Sequence, residues 1–263
     1  MSDGIRYAVF SKPWKTLPLP DLARHISGLG FTGVELPVRP EFQVEPERVT
    51  EGLPEAARIF GDHGVSIESI AGPTDEAAIA ACAEAGVPII RICLPIGDDG
   101  YLASEARYKR EFEELAPTLE QYGVAVGIQN HCNNQVGSCL GVRNIIGDFS
   151  PDQFCIVWDP AHNVLAGEIP EQAIDISWSH LRMVNLKSPW WMRANSLEAA
   201  QADWKLMWTT GRHGIAPWPR VVAALKARNW QGPVCFTAEY SDHSVLDSAA
   251  VDDLLYAQML FGE

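Results

Sequence analysis

Short apolar runs alternate with amphipathic stretches from one end of the chain to the other. Arg6 to Phe10 reads as a first strand, and Pro20 to Gly30 follows as a helix, with Leu22, Ile26 and Leu29 at helical spacing. The same pairing recurs. Gly33 to Val38 predicts a strand and Pro46 to Gly64 a helix; Val65 to Ala71 a strand, then an alanine-rich helix capped by Thr74 and ending at Gly86. Ile89 to Ile96 precedes a charged helix over Ser104 to Gly123, where Pro117 predicts a kink or a break. Val124 to Gln129 leads to a helix at Val142 to Phe149, and Cys155 to Trp158 to one at Pro170 to Trp178. Leu181 to Lys187 is followed by an insertion, Ser188 to Ile215, before a helix at Trp218 to Asn229. Val234 to Glu239 and a helix over Ser248 to Phe261 close the series. Eight strand–helix units with short connections predict one (β/α)8 TIM barrel spanning 1–263 as a single domain. An open doubly wound sheet is the alternative, but no GxGxxG run follows the first strand.

Length agrees, since 263 residues lie near the roughly 250 typical of one such barrel. Hydrophobic residues make up 47% and charged residues 21%, enough for a large core. A net charge of −14 argues against nucleic acid, whose phosphates need a basic footprint. No run reaches the 18 or so apolar residues of a membrane span, and the N-terminus has no basic segment leading into a hydrophobic one. The expectation is a cytoplasmic protein without nucleic-acid or membrane partners. Of six cysteines, Cys93, Cys155 and Cys235 fall in strand runs and Cys82 in a helix, as small core residues do. Cys132 and Cys139, with six residues between them, are weak signals for zinc or a disulfide.

In a barrel the strand ends converge on one mouth. Strand five ends Gln129-Asn130-His131, strand six ends at Asp159 with His162 just beyond, strand seven carries Asn185 and Lys187, and strand eight ends Glu239-Tyr240. Four consecutive strands thus deliver polar groups to one place. The competing reading makes Asp159 a helix cap and His162 a solvated loop residue.

Several motifs make the pattern more specific. GFTGVEL (Gly30 to Leu36), WDPAH (Trp158 to His162), VNLKS (Val184 to Ser188) and the tail from Gly214 through the Asn229-Trp230-Gln231-Gly232 turn to Tyr240 resemble the xylose isomerase-like barrel superfamily. That superfamily holds sugar isomerases, epimerases, hydroxypyruvate isomerases and the endonuclease IV group. The resemblance implies a divalent metal, Mn²⁺ or Mg²⁺, at Gln129, Asp159, Asn185 and Glu239. Gln129 departs from the family's glutamate and Asn185 from its histidine. Glutamine cannot act as a base near neutral pH, so only Glu239 remains of the usual pair. The expected chemistry is one-base proton abstraction alpha to a carbonyl by Glu239, with His162 or Lys187 polarising or protonating the oxygen. The alternatives are a lyase or hydrolase on a glycoside or keto-sugar and a non-catalytic sugar-binding barrel.

Around this centre, Asn130 and His131 are candidate substrate contacts for a carbohydrate-like ligand. The insertion is rich in tryptophan, and Trp190 and Trp191 suit stacking on a sugar, with Arg212 and His213 available to an anionic substituent. Its competing reading is a helical segment, Leu197 to Trp208, packed on the barrel or on a second subunit of a homodimer or homotetramer. Inside the barrel, Glu68 and Arg91 are expected to pair, because a buried charge needs a partner.

Overall fold

The computed structural model of the protein describes residues 4–262. Its strands, in chain order, are β1 (Arg6–Phe10), β2 (Gly33–Pro37), β3 (Ser66–Ala71), β4 (Ile89–Ile92), β5 (Ala125–Gln129), β6 (Phe154–Trp158), β7 (Leu181–Leu186), β8 (Ser188–Arg193), β9 (Trp204–Thr209) and β10 (Pro233–Phe236). Eight of them close a parallel barrel in the order β1-β10-β7-β6-β5-β4-β3-β2, and β8 and β9 form a separate antiparallel hairpin. The fold is a single (β/α)8 TIM barrel.

The barrel strands are buried on both faces, which is why they read as apolar runs. One row, including Val9, Val34, Val126, Ile156 and Val234, packs under the helices. The alternate row meets inside the barrel as Ala8, Ala71, Ile89, Ala125, Cys155, Val157, Met183 and Cys235. A Cβ on Gly127 would lie 2.6 Å from Val157 Cγ2 and 2.8 Å from Ile89 Cγ2, so the neck of the barrel closes against a bare backbone there. No helix among the described residues is long and apolar enough to cross a membrane.

Four sequence expectations change. The helix Tyr101–Tyr122 stays one element through Pro117. Pro117 and Glu113, whose carbonyl loses its helical donor, are both exposed, so water can serve that oxygen. The alanine-rich helix Glu76–Ala85 is capped by Asp75, not Thr74, through a bond from the Ala78 N–H. The insertion contains the hairpin β8–β9 in place of a helix over Leu197 to Trp208. Glu68 pairs with Arg6 at 2.9 Å, while Arg91 pairs with Glu35. The cause is a register irregularity: Val34 faces Ile67 but Glu35 faces Ser69. Glu68 is skipped, and Ser69 takes the inward place beside Glu35, which accepts its hydroxyl at 3.0 Å.

Candidate functional site

Each inward row climbs from the apolar interior to a polar end at the C-terminal mouth. Ala125-Gly127 leads to Gln129, Cys155-Val157 to Asp159, Met183 to Asn185 and Lys187, and Cys235-Thr237 to Glu239. Period-two alternation alone therefore gathers the four expected strand-end groups. Gln129, Asn185, Lys187 and Glu239 line a cavity of about 530 Å³ together with Lys12, Arg39, Arg91, Cys93 and His131. Asp159 sits behind this wall, fully buried.

The deepest layer is a saturated network. Arg91 donates from Nε and Nη2 to the two oxygens of Glu35, at 2.6 and 3.0 Å, and from Nη1 to Gln129 Oε1 at 2.7 Å. Burial would lower the Arg91 pKa, but Glu35 more than offsets it and holds the guanidinium charged. Arg91 also fixes the Gln129 amide. Its oxygen faces the guanidinium, so its nitrogen must face Asp159, where it donates to Oδ2 at 2.8 Å.

Asp159 does cap a helix, Pro160–Leu165, accepting from the Ala161 and His162 N–H groups at 2.9 and 3.2 Å. Burial raises its carboxyl to about 6. Capping and site placement are both true of it. His162 is buried rather than solvated. Its Nδ1 accepts from the Cys132 N–H at 3.1 Å, which puts the ring hydrogen on Nε2. That Nε2 has no hydrogen-bond partner and lies 3.6 Å from Asp159 Oδ2. Burial first, then Lys187 and His131, push the His162 pKa far down, so the imidazole is neutral. The His131 ring lies tilted against it, 3.9 Å between centroids.

Glu239 lies three residues past the end of β10 and follows Ala238, which is held at φ 49° in the left-handed region. A non-glycine residue there is strained, and the strain aims the next side chain at the cavity. Glu239 Oε1 accepts from Lys12 Nζ at 2.5 Å and Oε2 from Lys187 Nζ at 3.4 Å. Burial would raise its carboxyl, but the two ammonium groups overcome that and bring it down to about 2. Lys187 also sits 4.0 Å from the ring centre of Trp208 on the hairpin. In contrast, both amide atoms of Asn185 and the hydroxyl of Thr237 are buried with no partner.

These contacts decide how a divalent ion would fare. The sequence expectation was four oxygens from Gln129, Asp159, Asn185 and Glu239. Asn185 Oδ1 is free and Asp159 Oδ2 has one donor. Gln129, however, presents N–H, its oxygen being held by Arg91, and each Glu239 oxygen faces an ammonium. Turning the amide over would set its NH₂ against Arg91. The residues as arranged do not fit a hard divalent ion in the four-strand set. A separate trio, His131, Cys132 and His162, brings nitrogen and sulfur atoms within 4.8 Å of one another and could hold a softer ion. All six cysteines are free thiols.

The remaining expected contacts are distributed unevenly. His131 lines the cavity. Asn130 instead clamps the Asp159 backbone, accepting its N–H at 2.8 Å and donating to its carbonyl at 3.0 Å. Trp190 and Trp191 are exposed on the hairpin and line neither this cavity nor its neighbour. Arg212 lies over the Tyr256 ring and His213 bonds Thr210, and neither lines either cavity. The tryptophan at the mouth is Trp208, which lines an adjoining cavity of about 830 Å³ with Lys12, His131 and Glu239. Lys12 was expected at the mouth only as part of the stretch Ser11 to Lys15 after the first strand, and Arg39 was not singled out from sequence. The signal for each is position, just past a barrel strand.

Comparison with known proteins agrees with this fold. No curated protein sequence matches. Among solved structures, the D-psicose 3-epimerase of Clostridium cellulolyticum H10, crystallised with D-tagatose, superposes with a TM-score of 0.75 at 13% identity, covering 97% of this chain and 99% of that one. The 3-keto-D-glucoside 4-epimerase of E. coli gives 0.71 at 14% identity, covering 97% and 99%. A probable 3-DHS dehydratase of Bacillus anthracis gives 0.70 at 13%, covering 95% and 98%. At such identities these likenesses speak for the fold. The sequence profile of the xylose isomerase-like TIM barrel matches residues 23–256, and the chain belongs to that family.

Proposed function

We propose that the protein is a sugar isomerase or epimerase-type enzyme acting on a keto-sugar or related hydroxy-carbonyl compound. Its reaction starts with removal of a proton alpha to the carbonyl by Glu239. The observation that carries this reading is the Lys12–Glu239–Lys187 group, a carboxylate held between two ammonium ions in the cavity wall. At neutral pH the carboxylate is wholly in its acceptor form. A group this acidic is a weak base alone. As it takes the proton, negative charge passes to the substrate oxygen, and Lys187 can follow the charge to that oxygen. The site then keeps its electrostatic balance throughout the transfer.

Lys187 supplies the positive charge to the developing enolate. His162, neutral with its N–H unpartnered, lines neither cavity and lies against Asp159 and His131, so its part is to position those groups. Asn185 and Thr237 offer unpartnered groups to substrate hydroxyls. Mn²⁺ or Mg²⁺ would be poorly served by the four strand ends, and the proton transfer is carried by Glu239 and the two lysines. Free cysteines accord with a reducing, cytoplasmic setting.

A second outcome is open to the same carbanion. Lys12, bonded to the base, can hand a proton to a departing β-hydroxyl, which would make the reaction a dehydration. The test is wash-in of solvent deuterium at the carbon alpha to the carbonyl, followed by NMR over a panel of ketoses. Exchange is expected in the wild type, with a drop of about 10²- to 10⁴-fold in Glu239→Gln. Unchanged exchange in that variant would sink the assignment.

A further inference from the structure

The cavity holds a cation that no acid among the described residues bonds or pairs with. Arg39 lies just past the end of β2 and lines the cavity wall, yet its guanidinium makes no hydrogen bond or ion pair with any described residue. Its nearest aromatic neighbour is Phe10, 5.8 Å from the ring centre, and Arg91 lies over the same ring at 4.9 Å. Burial and the neighbouring Arg91 both lower the Arg39 pKa, as expected of a cation withdrawn from water beside another cation.

The surrounding charges leave no acid for it. Glu35 is bound by both prongs of Arg91, and Glu239 is shared between Lys12 and Lys187. With Arg91 matched by Glu35, and Lys12 and Lys187 facing Glu239 with Asp159 just behind the wall, Arg39 is the lining cation left without an acid bonded to it. This positive pocket belongs to a protein of net charge −14, so it is not a by-product of composition. A concave site with one sign of charge draws and retains a ligand of the other sign.

We infer that the substrate is anionic: a sugar acid whose carboxylate pairs with Arg39 while its hydroxy-carbonyl end faces Glu239 and Lys187. The planar two-pronged guanidinium matches a carboxylate. The cavity size accords with a six-carbon acid. Gln135, whose Oε1 is buried and unpartnered on the same wall, is placed to accept a hydroxyl. This inference rests on the reading of the cavity as the substrate site and narrows it to a chemical class.

Calorimetric titration tests it without needing turnover. D-Fructuronate and D-tagaturonate are each compared with their uncharged parents D-fructose and D-tagatose, and D-fructose 6-phosphate supplies the phosphate arm. The wild type should bind at least one acid roughly tenfold to hundredfold more tightly than its parent, with the phosphate ester behaving like the parent. Arg39→Gln should erase that preference, and Arg39→Lys should restore part of it. Equal binding of acid and parent, no binding of any acid, a preference for the phosphate ester, or a preference that survives Arg39→Gln would each overturn the inference. Deuterium wash-in separates the two readings. An acid bound through Arg39 that never exchanges its alpha proton defeats the isomerase reading alone. A neutral ketose that exchanges equally fast in wild type and Arg39→Gln, with no preference for acids, defeats only the carboxylate inference.

Discussion

Two groups of buried polar side chains share one barrel, and their bonding differs. On the β2–β5 side, Glu35, Ser69, Arg91 and the Gln129 oxygen satisfy one another inside the wall. On the β6–β10 side, Asn185 has neither amide atom bonded, Thr237 Oγ1 and His162 Nε2 have no partner, and Glu239 is held only by lysines. Buried polar groups left unsatisfied are costly and uncommon, so the second group implies a ligand where the first implies a brace. A closed network positions, and an open one binds.

The comparison can be broken from the closed side first. Glu35→Gln leaves Arg91 buried beside a neutral amide, and the expected loss is about 3–5 kcal/mol of unfolding free energy by denaturant titration. A loss below about 1 kcal/mol would mean that water already reaches the guanidinium. On the open side, Lys187→Met should lower the rate of alpha-proton exchange by about 10²- to 10³-fold with little change in the melting temperature, because its contacts are to Glu239 and the face of Trp208. A large drop in stability instead would move Lys187 to the structural group.

Gln129 joins the two sides, and its reversal sharpens the contrast. In Gln129→Glu one oxygen keeps Arg91 while the other faces Asp159 Oδ2, so two carboxylates share a wall. Elemental analysis after incubation with Mn²⁺ is expected to find bound ion in this variant and little in the wild type. A stoichiometric ion in the wild type would contradict the donor-set argument.

Outside both groups lies Asp253, whose effect is confined to a pH window and which accepts from the Gly211 N–H at 2.7 Å and the Tyr240 hydroxyl at 2.8 Å. Burial raises its carboxyl from 3.8 to about 7. A folded-state pKa raised above the unfolded one means that the folded protein keeps a proton the unfolded chain releases. The associated stability is present below about pH 4 and is lost as pH rises to about 7, by at most about 1.4 kcal/mol per pH unit. Asp159, raised to about 6, slopes the same way, while Glu239, at about 2, slopes oppositely below 4.5. The difference between wild type and Asp253→Asn isolates the first. Parallel stability curves from pH 4 to 8 would refute it.

Much of the site was legible because barrel strands alternate. Once Val157 and Cys235 are assigned inward, Asp159 and Glu239 follow by counting in twos, and so do Gln129 and Asn185. Counting fails where register slips. The irregularity at Val34 and Glu35 turned Glu68 toward Arg6 and gave Arg91 to Glu35. It is also silent about loops. Lys12 meets Glu239 across 227 positions of chain, and nothing local to either residue announces that contact. The hairpin was obscured for another reason. Its strands join over ten residues without a tight-turn dipeptide, and it sits outside the barrel, so neither a turn signal nor the strand–helix rhythm marked it.

The orientation of the Gln129 amide has a consequence for the history of the site. Codons for glutamine and glutamate differ by one base, and Arg91 can donate to either side chain at the same oxygen. A lineage can therefore exchange a carboxylate for an amide at this strand end in a single substitution, leaving Glu35, Arg91 and the barrel core untouched. The brace beneath the site makes that exchange structurally quiet in both directions.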